Sequence, residues 1–575
     1  MIERIAIIDK APSKNDYSKY FDFDFEVFHM SSVPVAKLTK KLVDLEFDAS
    51  KFDLVILVGS EAAKEYAKVG VSTHAGILIN DKFVCINNPA MLIFKPEGKP
   101  DFQRAVSKIN EIIAGGGSNS ARSGDFKGIM NADEAMEFLL EVLHSNAPYV
   151  AIDTETTALY PRDGYVLGVS MSYKRKHGRY LLTDILDAEH IRVMQQIIDK
   201  YVIVFHNMKF DYKMLAYHLG LTFKRDRVHD TMVAHYVLDE TDSHSLKSLA
   251  LKYTDYGDYD SALEDFKKTY CSQHGILQEE FTYDLIPFEI MELYASIDTA
   301  VTLELADKFL PLIQKNEKLR WVYENLLIRG TLFLMDMEEV GIPMSKLRLS
   351  AAGAYLGTSI TTAKERVFAF EEVKRMEEDT GKIFNANSVV QLRVLLFDYL
   401  GLESTGKRTA TGALSTDAEV LTELSKEHKL PEAILEVKKL TKLQNTYVSK
   451  ILPELDRDQR IRTNFNLIFT TSGRLSSSGK FNAQQIPRDD PIIKGCIQAP
   501  NGYKIVSQDL STAEMYYAAV LSGDKNLQSV FSSGGDFHSA IAKMVFDLPC
   551  AVEEVKKLYP AMRQSAKAIS FGINL

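Results

Sequence analysis

The chain has 575 residues, 68 Lys and Arg against 78 Asp and Glu for a formal charge of −10, and 46% apolar residues. That composition is globular, long enough for about three to five domains, and excludes collagen-like or wholly disordered chains. Four scattered cysteines (Cys85, Cys271, Cys496, Cys550) exclude a disulfide framework or C-x-x-C zinc site. With no signal peptide and no apolar run near the about 18 residues of a membrane helix, a soluble cytoplasmic protein with no membrane partner is expected.

In chain order, Ile5–Asp9 and Leu54–Gly59 are short β-branched runs, and the second leads into a helical pattern over Glu61–Ala67. They predict a small α/β module over residues 1–114. The Gly- and Ser-rich stretch 115–124 reads as a flexible linker. Strands are predicted at Tyr149–Asp153, Val166–Ser172 and Val202–Phe205, and helices around Lys209–Leu219, Thr231–Leu238 and Phe288–Leu310, giving a second α/β block over 125–317. From Lys318 the pattern is helical through Glu324–Glu339, Lys346–Met376, Val389–Leu400 and Glu432–Lys450. Strands are expected again at Arg462–Thr470 and Tyr503–Gln508, then an amphipathic helix over Ala551–Phe571. The fold class is multidomain, α/β and α+β.

Chemistry concentrates first at Asp153 and Glu155, spaced i and i+2 at a strand end so that both point to one side. Asp211 follows the Val202–Phe205 run, and Tyr294 and Asp298 are four apart on one helical face. Oxygen donors in such positions suit a hard divalent cation. Two such ions can generate hydroxide and stabilise the leaving oxygen of a phosphodiester, with a phenol such as Tyr294 orienting water. The acidic stretch Tyr253–Asp260 lacks the order of a calcium loop and reads as a surface loop near the mouth of this site.

The succession Asp153-Thr-Glu155-Thr-Thr, His206-Asn207-x-Lys209-Phe210-Asp211, Asp230-Thr231, His244-Ser245-Leu246 and Tyr294-x-x-x-Asp298 resembles the proofreading 3′–5′ exonuclease of family A (polymerase I-like) DNA polymerases. The resemblance implies an RNase H-like fold. It further implies that Asp153, Glu155, Asp211 and Asp298 hold two Mg²⁺ or Mn²⁺ ions, with Tyr294 on the nucleophile.

The remainder, 318–575, resembles part of the family's right-hand polymerase domain: thumb, one palm strand and the start of the fingers. Glu338-Glu339-Val340-Gly341-Ile342-Pro343 resembles its opening, and Phe384–Leu392 and Lys438–Tyr447 its thumb. Lys438, Lys439, Lys442 and Lys450 form a basic stripe suited to phosphates. Thr471–Ser477, carrying Arg474, and Asn482–Pro487, carrying Gln484, resemble the stretch that grips primer and template, with Gln485 in place of the usual Asn. Asp509-Leu-Ser-Thr-Ala-Glu514 resembles motif A, which makes Asp509 a metal ligand and Glu514 a steric gate under the sugar. Asp536-x-His538 matches the family's D-x-H, with His538 meeting the triphosphate of a dNTP. Arg563-x-x-x-Lys567-x-x-x-Phe571-Gly572 resembles the O helix, two cations for triphosphate oxygens and a Phe that implies discrimination against dideoxynucleotides.

The pattern reaches Leu575 without motif C and its second catalytic Asp. Polymerisation by these residues alone is therefore not expected. The chain reads as truncated or as one product of a split gene, preferably the latter, with a second polypeptide completing palm and fingers. Residues 1–114, through Val58–Ala63, Ile86–Leu92 and Lys95-Pro96-Glu97-x-Lys99, loosely resemble a uracil-DNA glycosylase-type fold without its catalytic acid, so DNA or partner binding, or equally a packing domain with no separate function, is expected there. The expected function is the N-terminal part of a bacteriophage-type replicative DNA polymerase with proofreading, acting on primer–template DNA and single-stranded 3′ ends. The competing readings are a self-sufficient exonuclease whose polymerase region only binds DNA, and an inactive DNA-binding scaffold.

Overall fold

β-Branched strands with both faces apolar must be covered on both sides, and Ile5–Asp9 (β1) is buried throughout in the computed structural model of this chain. Glu26–His29 (β2), Leu54–Val58 (β3), Leu78–Ile79 (β4) and Phe83–Ile86 (β5) complete a sheet of order β2-β1-β3-β5-β4, parallel except at β4. The structure describes residues 2–12, 15–31, 47–76, 78–80, 82–93, 99–113, 124–409, 412–479, 481–487, 490–510, 512–532 and 534–574. The expected linker lies outside them except for Gly124, as do Lys95, Pro96, Glu97 and Ser511.

The second sheet contains Asp125–Ile129 (β6), Tyr149–Thr156 (β7), Val166–Ser172 (β8), His177–Leu182 (β9), Val202–Phe205 (β10) and Val228–Asp230 (β11), in the order β11-β10-β7-β8-β9-β6. Because β7, β10 and β11 run parallel, their carboxyl ends open on one edge. That edge gathers Asp153 and Glu155, the His206–Asp211 segment and Asp230. The helix Phe288–Gln314 crosses the sheet against β6, β7, β8 and β9, nearly unbroken in apolar and small residues on its buried side.

Two glycines permit that close approach. A Cβ at Gly178 of β9 would lie 2.0 Å from the Ser296 carbonyl oxygen, and one at Gly128 of β6 would lie 2.3 Å from the Phe288 ring. The first obstacle is backbone and cannot rotate away. Gly178→Ala is therefore expected to cost about 1–3 kcal/mol by overpacking, read as a lowered melting temperature of the full chain.

Downstream, Lys346–Phe368 packs on Lys429–Lys442. The expected continuous helix Lys346–Met376 is instead two, Lys346–Phe368 and Glu371–Thr380, with Phe370 extended between them. This turn lets Val373 and Met376 join Phe384, Leu392 and Ile434 in one core. Of the expected strand Arg462–Thr470, only Asn464–Asn466 is paired, against Ser476–Ser478.

Ile497–Leu575 form a separate unit of five helices among the described residues: Ala513–Ser522, Lys525–Ser532, Phe537–Phe546, Val552–Leu558 and Pro560–Asn574. The expected strand Tyr503–Gln508 is not formed. Tyr503 and Val506 are 76% and 79% exposed, and no described strand pairs with the segment. A strand needs a neighbour for its backbone groups. The expected helix Ala551–Phe571 is split at Tyr559, because a residue before proline is driven out of the helical region. Among the described residues, no helix is long and apolar enough to cross a membrane.

Candidate active site

Asp153 and Glu155 leave β7 on one side just before the register shifts at Glu155/Thr156. Thr154 anchors Asp211: its N–H and Oγ1 donate to Asp211 Oδ1 at 2.9 and 2.7 Å. Asp211 stands in the first turn of Met208–Leu219, entered through Asn207 in the left-handed region at φ 66°. Buried Asp230 holds this bend, accepting from Asn207 N at 3.1 Å, Met208 N at 2.8 Å and, as cap of Thr231–Leu238, Met232 N at 2.9 Å. Asp230 thus joins two helix starts. Tyr294 and Asp298 arrive from the helix Phe288–Gln314.

Asp153, Glu155 and Asp298 place one carboxylate oxygen each within 4.8 Å of one another. This clustering of buried and half-buried acids is costly. Burial first, then Asp211 and Glu155, push the Asp153 carboxyl well above its ordinary range. Burial and then Asp298 do the same to Glu155. Burial carries Asp211 to about 7 against the opposing hydrogen bonds from Thr154. A hard donor set of this kind fits a divalent cation.

The folded metal-free chain keeps a proton on Asp211 that the unfolded chain releases above 3.8. Its stability therefore falls as pH rises from there towards 7. A cation held by Asp211 would need the ionised form, so its affinity would rise through the same window. Mn²⁺ titrated into the chain is expected to bind more weakly at about pH 6 than at about pH 8.

Two groups here were not anticipated. Lys247, on Leu246–Tyr253, donates from Nζ to Asp298 Oδ1 at 2.6 Å and lies 3.0 Å from the Tyr259 hydroxyl. Its ammonium sits 4.0 Å from the Tyr294 ring centroid and 4.2 Å from that of Tyr259. The Tyr259 hydroxyl also donates to Asp298. The Tyr253–Asp260 stretch does lie beside the site, but it is not simply a solvated surface: Thr254 and Tyr256 are buried. The only sequence hint was position, since Lys247 directly follows His244-Ser245-Leu246.

The acids open into a cleft of about 780 Å³ bordered by Tyr160, Tyr283, Tyr294 and Gly479. Gly479 follows the hairpin strand Ser476–Ser478, so the grip-like stretch forms part of the cleft wall. Beneath it, Lys209 donates to Glu338, to Asn464 Oδ1 at 2.8 Å and to the Phe465 carbonyl. Lys213 meets Glu338 at 2.9 Å, and Phe465 N donates to it at 2.7 Å.

On Lys429–Lys442 and its continuation, Lys439, Lys442 and Lys450 are exposed while Lys438 is half-buried, donating to the Thr416 carbonyl. Lys439 and Lys442 line a 450 Å³ cleft with Tyr447, Gln485 and Asp490. Arg474 is exposed, and exposed Gln484 donates to the Leu475 carbonyl at 3.2 Å. In the C-terminal unit Asp509 and Glu514 are exposed and His538 is buried. Arg563 is half-buried and ion-paired: its guanidinium grips Asp536 at 2.6 and 2.8 Å. This holds the Asp536 carboxyl far below the usual range. Lys567, half-buried, is one turn further along this helix. The Phe571 side chain lies outside the described residues.

A 3′-5′ exonuclease family model matches residues 127–314, and a model of DNA polymerase family A matches 355–574. The chain is 49% identical over 99% of its length to the DNA polymerase of Escherichia phage T5, covering 70% of that protein. It is 31% identical over 74% of its length to DNA polymerase I of Pseudomonas aeruginosa, spanning less than half (46%) of that relative. The POL domain of Pol1 from M. smegmatis, solved in complex with DNA primer-template and dNTP, shares the fold with a TM-score of 0.60 at 24% identity, covering 78% of this chain and 71% of that one.

Proposed function

The chain belongs to DNA polymerase family A and carries a 3′-5′ exonuclease domain, and from that premise we propose that it removes 3′-terminal nucleotides from DNA at Asp153, Glu155, Asp211 and Asp298. The observation that carries this reading is the convergence of three carboxylate oxygens within 4.8 Å at the floor of an open cleft. Two Mg²⁺ or Mn²⁺ ions held there would supply an activated water and stabilise the departing 3′ oxygen. Thr154 fixes Asp211, the helix Phe288–Gln314 fixes Asp298, and Tyr294 offers its phenol to the attacking water. The mixed sheet crossed by that helix supports the RNase H-like reading.

In the polymerase segment, Lys442 and Arg474, both exposed, and Gln484 are read as contacts to primer–template DNA, with half-buried Lys438 less available. Asp509 is read as a metal ligand, Glu514 as the sugar gate, and His538, Arg563, Lys567 and Phe571 as the dNTP-binding set. For Arg563 this requires exchange of Asp536 for phosphate. The parallel order β2-β1-β3-β5 supports a glycosylase-like module in residues 1–114 that binds DNA or a partner. Exonuclease action needs no second polypeptide, and none finds support among the relatives.

Incubation of a 5′-labelled primer–template with Mg²⁺ and no dNTP is expected to give a ladder of shortened primers, abolished by EDTA. An intact primer overturns the proposal. Adding dNTPs separates the alternatives: extension supports a working polymerase segment, and shortening alone favours an exonuclease whose polymerase region only grips DNA.

A further inference from the structure

Asp298 is 4% exposed and shares its pocket with two other acids, yet its Oδ1 is already engaged by an ammonium. Lys247 Nζ lies 2.6 Å away, and its positive charge favours the ionised forms of Asp153 and Glu155. Two aromatic faces, Tyr294 at 4.0 Å and Tyr259 at 4.2 Å, hold the ammonium in place through cation–π attraction. The lysine stem is flexible and the side chain 29% exposed, so it has a route out towards solvent.

We propose that Lys247 is a resident cation that occupies Asp298 in the metal-free chain and competes there with the incoming divalent ion. This rests on the exonuclease reading above. An oxygen bound to an ammonium cannot also bind an ion without repulsion between two cations. Lys247 therefore keeps the carboxylates gathered when no ion is present and must withdraw from Asp298 when one arrives. It is a positioning residue that sets how tightly the site is loaded.

The test is a Mn²⁺ titration of the full chain without DNA, followed by electron paramagnetic resonance, counting only ions lost in Asp153→Ala/Glu155→Ala. Lys247→Met, which keeps the stem and removes the charge, is expected to bind Mn²⁺ about tenfold more tightly than the native chain. It should melt earlier than the native chain in EDTA and level with it in saturating Mn²⁺. Lys247→Arg, which can grip Asp298 with two N–H groups, is expected to bind Mn²⁺ no more tightly than the native chain. Native-like or weaker binding by the Met variant overturns the proposal and leaves the exonuclease reading intact. If the Met variant does not fold, tighter binding by the Arg variant overturns it equally. Absence of any such Mn²⁺ site in the native chain overturns both.

Discussion

Asp153→Ala/Glu155→Ala is expected to lower the release of 3′-terminal nucleotides by about a thousandfold or more, roughly 4 kcal/mol of lost transition-state stabilisation. Both carboxylates leave the same strand end, and with Asp298 they form the described donor cluster. One acid cannot hold what the cluster holds. The same change is expected not to lower the melting temperature of the metal-free chain, because both acids are held near other carboxylates against burial and mutual repulsion. Product release from a labelled primer and a melting curve in EDTA check the two halves. Persistent cleavage by a folded variant removes the metal assignment, and a large drop in melting temperature removes the account of the site as electrostatically strained.

Glu338→Ala is expected to have the largest effect on stability. Glu338 is 4% exposed and neutralises Lys209 and Lys213 while accepting from Phe465 N. Its removal strands a buried ammonium whose proton affinity burial already depresses. Breaking one side of such a buried pair typically costs about 3–5 kcal/mol, whereas replacing both sides with apolar groups is often neutral. Lys209→Met/Glu338→Leu is therefore expected to recover most of the loss, Lys213 being able to turn towards water. Thermal melting of the single and double variants reads this directly. Equal losses in both would show that packing, not charge, dominates the joint.

The clustering of the candidate acids is legible because their geometry is local. Asp153 and Glu155 need only the period of a strand, and Tyr294 and Asp298 only the period of a helix. Lys247 and Tyr259 were not legible as partners of Asp298, because they lie 51 and 39 positions away and nothing in their own segment requires the contact. Lys209 stands in a recognisable motif, but its partner Glu338 lies 129 positions on and depends on packing between the Met208–Leu219 and Arg329–Val340 helices. The Tyr503–Gln508 run shows the converse limit. The adjacent β-branched Ile505 and Val506 express a capacity to pair, and pairing waits on a neighbour. Spacing puts Arg563 and Lys567 one turn apart on a helix but cannot reveal that Asp536 holds the guanidinium.

Beneath Ser296 the main chain of the helix rests on the main chain of β9, with no side chain between them at Gly178. The span between the strand acids and Asp298 is thus gauged by peptide groups, which neither change rotamer nor swell. Part of the candidate site's geometry therefore rests on a residue that brings no side chain to it.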